Sequence, residues 1–477
     1  SKLFDFQRDI VRWALRRGRA ALFADCGLGK SPCQLEWAKQ VNLKTDRDVI
    51  ILAPLAVSEQ TKREGIKFGI PATVCRTAAD LKPGINITNY ERLHHFKPDR
   101  FGAIVLDESS ILKGFDGILR KQITDFAREI PFRLGSTATP APNDILVIPN
   151  HSELLGIMSG KEIIGLFFRA DGNTTHQWRL KGHAENDFWK WMATWSVALR
   201  KPSDLGYDDG AFILPPLKTS EIIIDVDAPS GMLFPLEAQT MDERRAARRT
   251  TVTQRAQIVA NMVNGSTEPW VLWCNLNAEA DMLKSMIPDA VDVRGSDSIE
   301  HKETSMLDFS LGKIRVLISK PRIAGHGLNW QHCCNMAFVG LSDSFEELYQ
   351  ATRRCWRFGQ TRPVNSYIVI AKTEGAVLRN IQRKEKAASG MFDNIVQHMS
   401  IYSMERAARG EMEYKKNHWS GQNWDLHLGD STEVIDQVDS DSVGLSVFSP
   451  PFPGMYAYTN SSRDIGNCRS IEQMIEH

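Results

Sequence analysis

Seven residues between an apolar run and a helix-like segment, Asp-Cys-Gly-Leu-Gly-Lys-Ser (25–31), have the composition of a phosphate cradle. Gly27, Leu28 and Gly29 would let backbone N–H groups approach phosphate oxygens, Lys30 would meet the β/γ charge, and the Ser31 hydroxyl would reach a magnesium ion. Ala24 stands where the general pattern opens with glycine. A second apolar run, AIVLDE (103–108), ends in two carboxylates. Beside a phosphate loop, Asp107 would hold the metal through water and Glu108 would polarise an attacking water. Gln7, in the helix-like start FDFQRDIVRWAL, has an amide that can read the donor and acceptor edge of adenine. The cofactors expected from these residues are ATP and Mg2+.

Such groups need strands and helices to converge. From residue 20 to 139 the short apolar runs ALFAD, VIILAP, INITNY, AIVLDE and FRLGSTAT alternate with segments long enough for crossover helices, the pattern of a parallel, doubly wound sheet. A second alternation, VLWCN, AVDVRG, RVLISK, MAFVG and SYIVIA, follows residue 270. The fold class expected is α/β, with two parallel-sheet lobes facing each other. The division expected is a first lobe over 1–149, a helical insertion over 150–216, a second lobe over 217–400 closed by a helix over 374–400, a linker over 401–423 and a partial further module over 424–477. The insertion carries Trp178, Trp189, Trp191 and Trp195 and is read as a packed helical protrusion. The pairs Arg244-Arg245 and Arg248-Arg249 are read as a solvated helix face.

With 42% hydrophobic and 24% charged residues the chain is a globular protein rather than a disordered one. No apolar run reaches the ~18 residues of a membrane span, so a cytoplasmic setting without a membrane partner is expected. The eight cysteines form no C-x-x-C pair and read as free thiols. Lysine and arginine balance aspartate and glutamate at 58 each, which argues against a uniformly basic coat but not against a local basic groove.

The ordered set Gln7, DCGLGKS (25–31), DESS (107–110) and GSTATP (135–140) resembles helicase superfamily two in its Swi/Snf-type branch. Ser110 departs from the histidine usual at the end of the second of these motifs. NDILVIPNHSELLGIM (143–158) and ILPPLK (213–218) resemble the same branch. AGHGLNW (324–330), with Gly327, resembles the glycine-rich motif that contacts nucleotide and DNA backbone. SDSFEELYQATRRCWRFGQTRPV (342–364) carries the Gln-Ala-x-x-Arg-x-x-Arg-x-Gly-Gln spacing that fixes Gln350, Arg354, Arg357 and Gln360. On a helix, positions three apart share a face, so Arg354 and Arg357 are expected in one cleft, stabilising charge on a transferring γ-phosphate. The resemblance covers residues 1–400 and implies RecA-like lobes and an ATP-dependent motor on double-stranded DNA. Thr139, Lys320, Arg322 and Asn329 are candidate contacts to the DNA phosphates.

The segment 424–477 resembles the start of a DNA amino-methyltransferase through Leu-Gly-Asp430, Asp441-Ser-Val and a strand-end Ser449-Pro450-Pro451-Phe452. In that family such a loop holds a flipped adenine or cytosine. Phe452 replaces the frequent tyrosine, which keeps stacking and loses a phenol hydrogen bond. No Phe-x-Gly-x-Gly follows, so S-adenosylmethionine would bind only a longer native protein, and methylation is not expected of these 477 residues. Fusions of this kind imply a bacterial or phage modification or restriction setting. The rival readings are an RNA-directed helicase and a non-enzymatic DNA-binding scaffold. The Swi/Snf-like arginine motif argues against the first, and intact Lys30, Asp107, Glu108 and Arg357 against the second.

Overall fold

Strands rich in Val, Ile, Leu, Ala and Phe with no polar alternation can only be buried on both faces, and helices must cover them. The computed structural model, which describes residues 2–113, 117–142, 144–170, 178–226, 241–324, 329–408, 417–428 and 442, has that architecture twice. Contacts divide the chain into two compact units, Ser1–Ser400 and Ile401–His477.

The first lobe runs α1 (Asp5–Arg17), β1 (Arg19–Ala24), α2 (Lys30–Thr45), β2 (Asp48–Leu52), α3 (Leu55–Phe68), β3 (Ala72–Val74), β4 (Ile85–Thr88), β5 (Phe101–Asp107), α4 (Ile118–Arg128) and β6 (Phe132–Thr137). The chain continues through α5 (Ile148–Leu155), α6 (Gly160–Phe167), the antiparallel pair β7 (Phe168–Ala170) and β8 (Trp178–Leu180), α7 (Glu185–Trp195) and β9 (Ser196–Leu199). Seven parallel strands lie in the order β3-β4-β2-β5-β6-β1-β9. All seven residues of β5 are buried. β6 lies between β1 and β5, so the ends of three strands meet at one edge of the sheet: the loop after β1, Asp107 ending β5, and Thr137 ending β6.

Residues 150–216 are not the purely helical insertion expected. β9 pairs in parallel with β1 and forms the sheet's edge. Trp189 and Trp195 are buried in the first lobe's core, Trp191 packs against it, and Trp178 is partly exposed. The three indoles on α7 therefore belong to the core or pack against it, whereas Trp178, on β8, does not.

The second lobe contains β10 (Leu217–Ile224), α8 (Met241–Thr250), α9 (Val252–Asn264), β11 (Trp270–Trp273), α10 (Asn277–Met286), β12 (Ala290–Val293), α11 (Ile299–Ser310), β13 (Val316–Ser319), α12 (Pro321–Ala324), β14 (Asn335–Phe338), α13 (Phe345–Thr352), β15 (Val364–Ala371) and α14 (Gly375–Ala408). Its six parallel strands are ordered β10-β15-β14-β11-β13-β12. The basic face of α8 is not simply solvated. Arg244 pairs with Asp343 at 2.7 Å, and Arg248, which is buried, pairs with Glu374 at 3.1 Å. These arginines are four apart and share the face that docks the helix.

α14 does more than close the second lobe. Val377, Leu378 and Ile381 lie in the second lobe's core, whereas Met391, Phe392 and Ile395 lie in the first lobe's core. Arg200 pairs with Asp393, and the His398 ring lies 2.8 Å from the Asn186 amide oxygen. In the other unit, β16 (Asn417–Gly421) and β17 (Trp424–Leu428) form an antiparallel hairpin that begins within the stretch expected as linker. Among the described residues, no helix is long and apolar enough to cross a membrane, and seven cysteines are free thiols.

Candidate functional site

The loop between β1 and α2 has the shape its glycines suggest. Gly27 and Gly29 take φ of 91° and 81°, which side chains disfavour, and both are closely approached. A Cβ on Gly27 would lie 2.9 Å from the Phe358 amide nitrogen, and one on Gly29 would lie 2.3 Å from Gln7 Nε2. Gln7 is buried and holds the loop from below. Its Nε2 donates to the Leu28 carbonyl at 2.9 Å, and its Oε1 accepts from the Phe4 N–H at 3.0 Å. In this structure that amide is committed to backbone groups of the loop and of its own helix start. Lys30 heads α2 and curls back, its Nζ donating to the Ala24 carbonyl at 3.0 Å, with Ser31 half-buried beside it. Glycine-rich backbone at a helix N-terminus with a lysine folded over it is a concave donor set suited to a phosphate.

The acidic pair sits two strands away. Asp107 is buried, and its Oδ1 accepts from Gln34 Nε2 at 2.8 Å. Burial, then the adjacent Glu108 charge, pushes the Asp107 carboxyl up to about 6. Glu108 is one of two non-glycine residues at positive φ among the described residues, at 56°. That costs about 1–3 kcal/mol and is kept where surroundings over-determine it. Here the strained turn brings Glu108 Oε2 to 3.2 Å from Thr137 Oγ1, which donates to it. Gln34 Oε1, Ser109 Oγ and Ser136 Oγ are buried without a hydrogen-bond partner among the described residues. A buried carboxylate with one amide partner and a raised pKa is an anion short of a counter-charge, as expected of a divalent cation site. No group of three or more potential metal-binding side chains gathers among the described residues. Magnesium fits that sparse set, because it is commonly held by one or two carboxylates with waters and phosphate oxygens.

The second lobe meets both groups through α13 and the turns after it. Near the start of the helix, Glu346 is buried, accepts from Lys113 Nζ at 2.6 Å and lies 3.5 Å from Thr139 Oγ1. Gln350 Oε1 accepts from Arg354 Nη2 at 3.3 Å and faces Cys26 Sγ at 3.8 Å, while its Nε2 is buried without a partner among the described residues. The Tyr349 hydroxyl and the Arg353 guanidinium both donate to the Asp25 carboxylate. Arg354 and Arg357 do not share a helix face as expected, because α13 ends at Thr352. They stand on successive turns and still lie close to one another. Burial, then the charge of Arg357, lowers the pKa of Arg354 to about 10, and burial also lowers that of Arg357. Cys26 lies close enough to oppose both shifts. Gln360 fastens these turns, donating to the Cys333 and Cys355 carbonyls at 3.1 and 3.3 Å.

Gln7, Gly27, Leu28, Gly29, Lys30, Ser31, Asp107, Glu108, Gln350, Arg354 and Arg357 thus line one inter-lobe region. The other assigned residues do not gather there as a set. Thr139 is buried beneath Glu346, and Arg322 is exposed but pairs with Glu347 at 2.6 Å. Lys320 follows β13, its carbonyl accepting from the Ala324 N–H, and Asn329 Oδ1 is buried without a hydrogen-bond partner among the described residues. Gly327, Ser449, Pro450, Pro451 and Phe452 lie outside the described residues. The sequence reading missed Asp25, Gln34, Glu346, Tyr349 and Arg353. Asp25 abuts the loop and Arg353 sits inside the arginine motif, so adjacency was the available signal for those two. Gln34 is found only from the sheet order that sets α2 beside β5.

A scan against protein-family models finds no match, and a search of curated proteins finds no similar one.

Proposed function

We propose that residues 1–400 form an ATP-hydrolysing motor on double-stranded DNA, with two RecA-like lobes of the Swi/Snf type in helicase superfamily two. The observation that carries the reading is the meeting of the glycine loop with the arginine turns, Gly27 against Phe358 and Cys26 against Gln350. A phosphate loop on one lobe and arginines on the other is the arrangement in which lobe closure and γ-phosphate chemistry become one event.

The Gly27–Ser31 backbone and Lys30 bind the phosphates, Lys30 exchanging its Ala24 carbonyl for a phosphate oxygen. Asp107, oriented by Gln34, and Ser31 would hold Mg2+, which would supply neutralisation of the phosphate charge. Glu108, aimed by its strained backbone and by Thr137, orients the attacking water and takes its proton. Arg354 and Arg357 stabilise charge on the transferring phosphoryl group from the opposite lobe. Thr139 and Lys113, both against Glu346, relay closure to the surfaces that grip DNA phosphates. Residues 424–477 belong to an amino-methyltransferase module, with Ser449, Pro450, Pro451 and Phe452 as its target-base loop, in a bacterial or phage modification or restriction system.

The test is steady-state ATP hydrolysis alone, with duplex DNA and with duplex RNA. Stimulation by duplex DNA of mixed sequence, weakening steeply as salt rises because phosphate contacts release counterions, is the expected result. Stimulation by RNA alone makes the chain an RNA motor. No hydrolysis under any condition makes it a scaffold.

A further inference from the structure

A carboxylate directly before a phosphate loop is an electrostatic problem. Asp25 is buried, and a negative charge one residue from a polyanion site opposes binding more strongly the less water screens it. Three contacts answer it. The Cys26 N–H donates to Asp25 Oδ1 at 2.6 Å, the Tyr349 hydroxyl donates to the same oxygen, and the Arg353 guanidinium takes Oδ2. The last two belong to the other lobe. The Asp25 N–H is also tied to the Leu199 carbonyl at 3.0 Å, so this residue joins the sheet's edge strand to the second lobe.

Arg353 is placed unlike the two arginines after it. Its Nη1 donates to the Trp356 carbonyl at 3.3 Å, and its guanidinium lies over the Trp356 and Tyr349 rings, 4.3 and 5.4 Å from their centroids. The side chain is 7% exposed, and that of Asp25 is 9% exposed. Carboxylate, two ring faces and a carbonyl engage both terminal nitrogens and the plane of the guanidinium, only its Nε being buried without a hydrogen-bond partner among the described residues, and Arg354 and Arg357 are left to meet the nucleotide. Burial and the neighbouring Arg357 pull the Arg353 pKa down to about 9, and a carboxylate in direct contact keeps such a guanidinium charged.

We propose that Arg353, with Tyr349, is a positioning residue that neutralises Asp25 and sets the register in which Arg354 and Arg357 meet the phosphate loop. The proposal rests on the ATP-hydrolysing reading above. A contact between lobes at the foot of the loop fixes where the next two arginines stand, and a displacement of about 1 Å at such groups costs on the order of 100-fold in rate.

The experiment is a double-mutant cycle on the full chain with Arg353→Met, Asp25→Asn and the double variant. Three quantities are read: kcat for ATP hydrolysis with duplex DNA, affinity for a fluorescent ATP analogue, and melting temperature. Arg353→Met is expected to lower kcat about tenfold or more and affinity less than about threefold, because the residue does not touch nucleotide. The double variant is expected to exceed Arg353→Met in both kcat and melting temperature, since Asp25→Asn removes the buried unpaired charge. Losses that multiply in the double variant overturn the pairing. An affinity loss as large as the kcat loss overturns the positioning role and makes Arg353 a nucleotide contact. If the wild-type chain hydrolyses no ATP, the motor reading fails by itself, and the pairing is judged on melting temperature alone: rescue by Asp25→Asn supports it and additive loss overturns it.

Discussion

Each lobe buries charge at the ends of its parallel strands, and the two do it in opposite ways. In the second lobe, Arg255 is fully enclosed and every side of it is answered. Its Nε donates to Thr251 Oγ1 at 3.0 Å, its Nη1 to Glu279 Oε1 at 2.6 Å and to the Val339 carbonyl, and its Nη2 to the Arg248 carbonyl. Glu279 Oε2 accepts from the Asn275 and Leu276 N–H groups at 2.7 and 2.9 Å, and Glu374 is satisfied by Arg248 and the Ala371 N–H. In the first lobe, Asp107 has Gln34 and a raised pKa, Glu108 is strained, and Gln34, Ser109 and Ser136 keep oxygens without partners among the described residues. A closed polar network specifies a fold. An open one with perturbed titration marks a candidate ligand site.

The sharpest way to break this contrast is to remove the groups assigned to chemistry. Arg357→Ala and Glu108→Gln should each lower ATP turnover by ~10³ or more while leaving the melting temperature within about 2 °C of wild type. Steady-state hydrolysis and a thermal melt on the same preparations decide it, and full turnover in Arg357→Ala would mean the lobes do not share the site. The closed network should respond inversely. Arg255→Met strands Glu279 in the core, although two backbone N–H groups still serve that carboxylate. A cost of about 3 kcal/mol, the low end for breaking a buried pair, is expected in urea unfolding. Turnover of the folded protein should stay within about twofold of wild type. A stable Arg255→Met with impaired turnover would move that network from scaffold to function.

The two networks also differed in how far they could be read from residues. Lys30, Asp107, Glu108 and Arg357 stand in short local patterns, and the apolar runs before the glycine loop and before Asp107-Glu108 announce the parallel strands that bring Lys30, Asp107 and Glu108 to one edge. The closed network was invisible because Arg255, Glu279 and Glu374 come from three distant segments, and nothing in a lone Arg on a helix distinguishes a buried ion pair from a solvated one. The same blindness made α8 a solvated face and hid Asp25–Arg353. Helical spacing misled at Arg354 and Arg357, since α13 stops at Thr352 and the following turns carry the spacing instead. It misled again at 150–216, where tryptophans on α7 were legible as helix but the short strand β9 after them was not. α14 read as a cap on one lobe because apolar periodicity does not say which core each turn faces.

One group beside the open site tests the contrast at finer scale. His151 on α5 is buried, its Nε2 lies 3.0 Å from the Pro140 carbonyl, and its ring meets Phe23 edge-on. Nε2 therefore donates, the ring is neutral, and the bond anchors the end of the GSTATP segment whose Thr139 meets Glu346. Burial lowers its pKa to about 4, with the Pro140 carbonyl opposing the shift only in part. Below the unfolded value of ~6.5 the unfolded chain takes up a proton that the folded chain refuses. The stability that His151 contributes is thus complete above pH ~6.5, declines as pH falls through 6 and 5, and is gone below about 4. Between pH 7.5 and 5.5 the loss should be about 1 kcal/mol, read as a fall in the urea midpoint. His151→Gln keeps an N–H donor for Pro140 and cannot titrate, so its midpoint should fall less over the same range, with the wild-type-minus-variant difference isolating this ring from other titrating groups. Parallel pH profiles for the two proteins would show that the imidazole is accessible to protons in the folded state and that the GSTATP segment is held by something other than a neutral histidine.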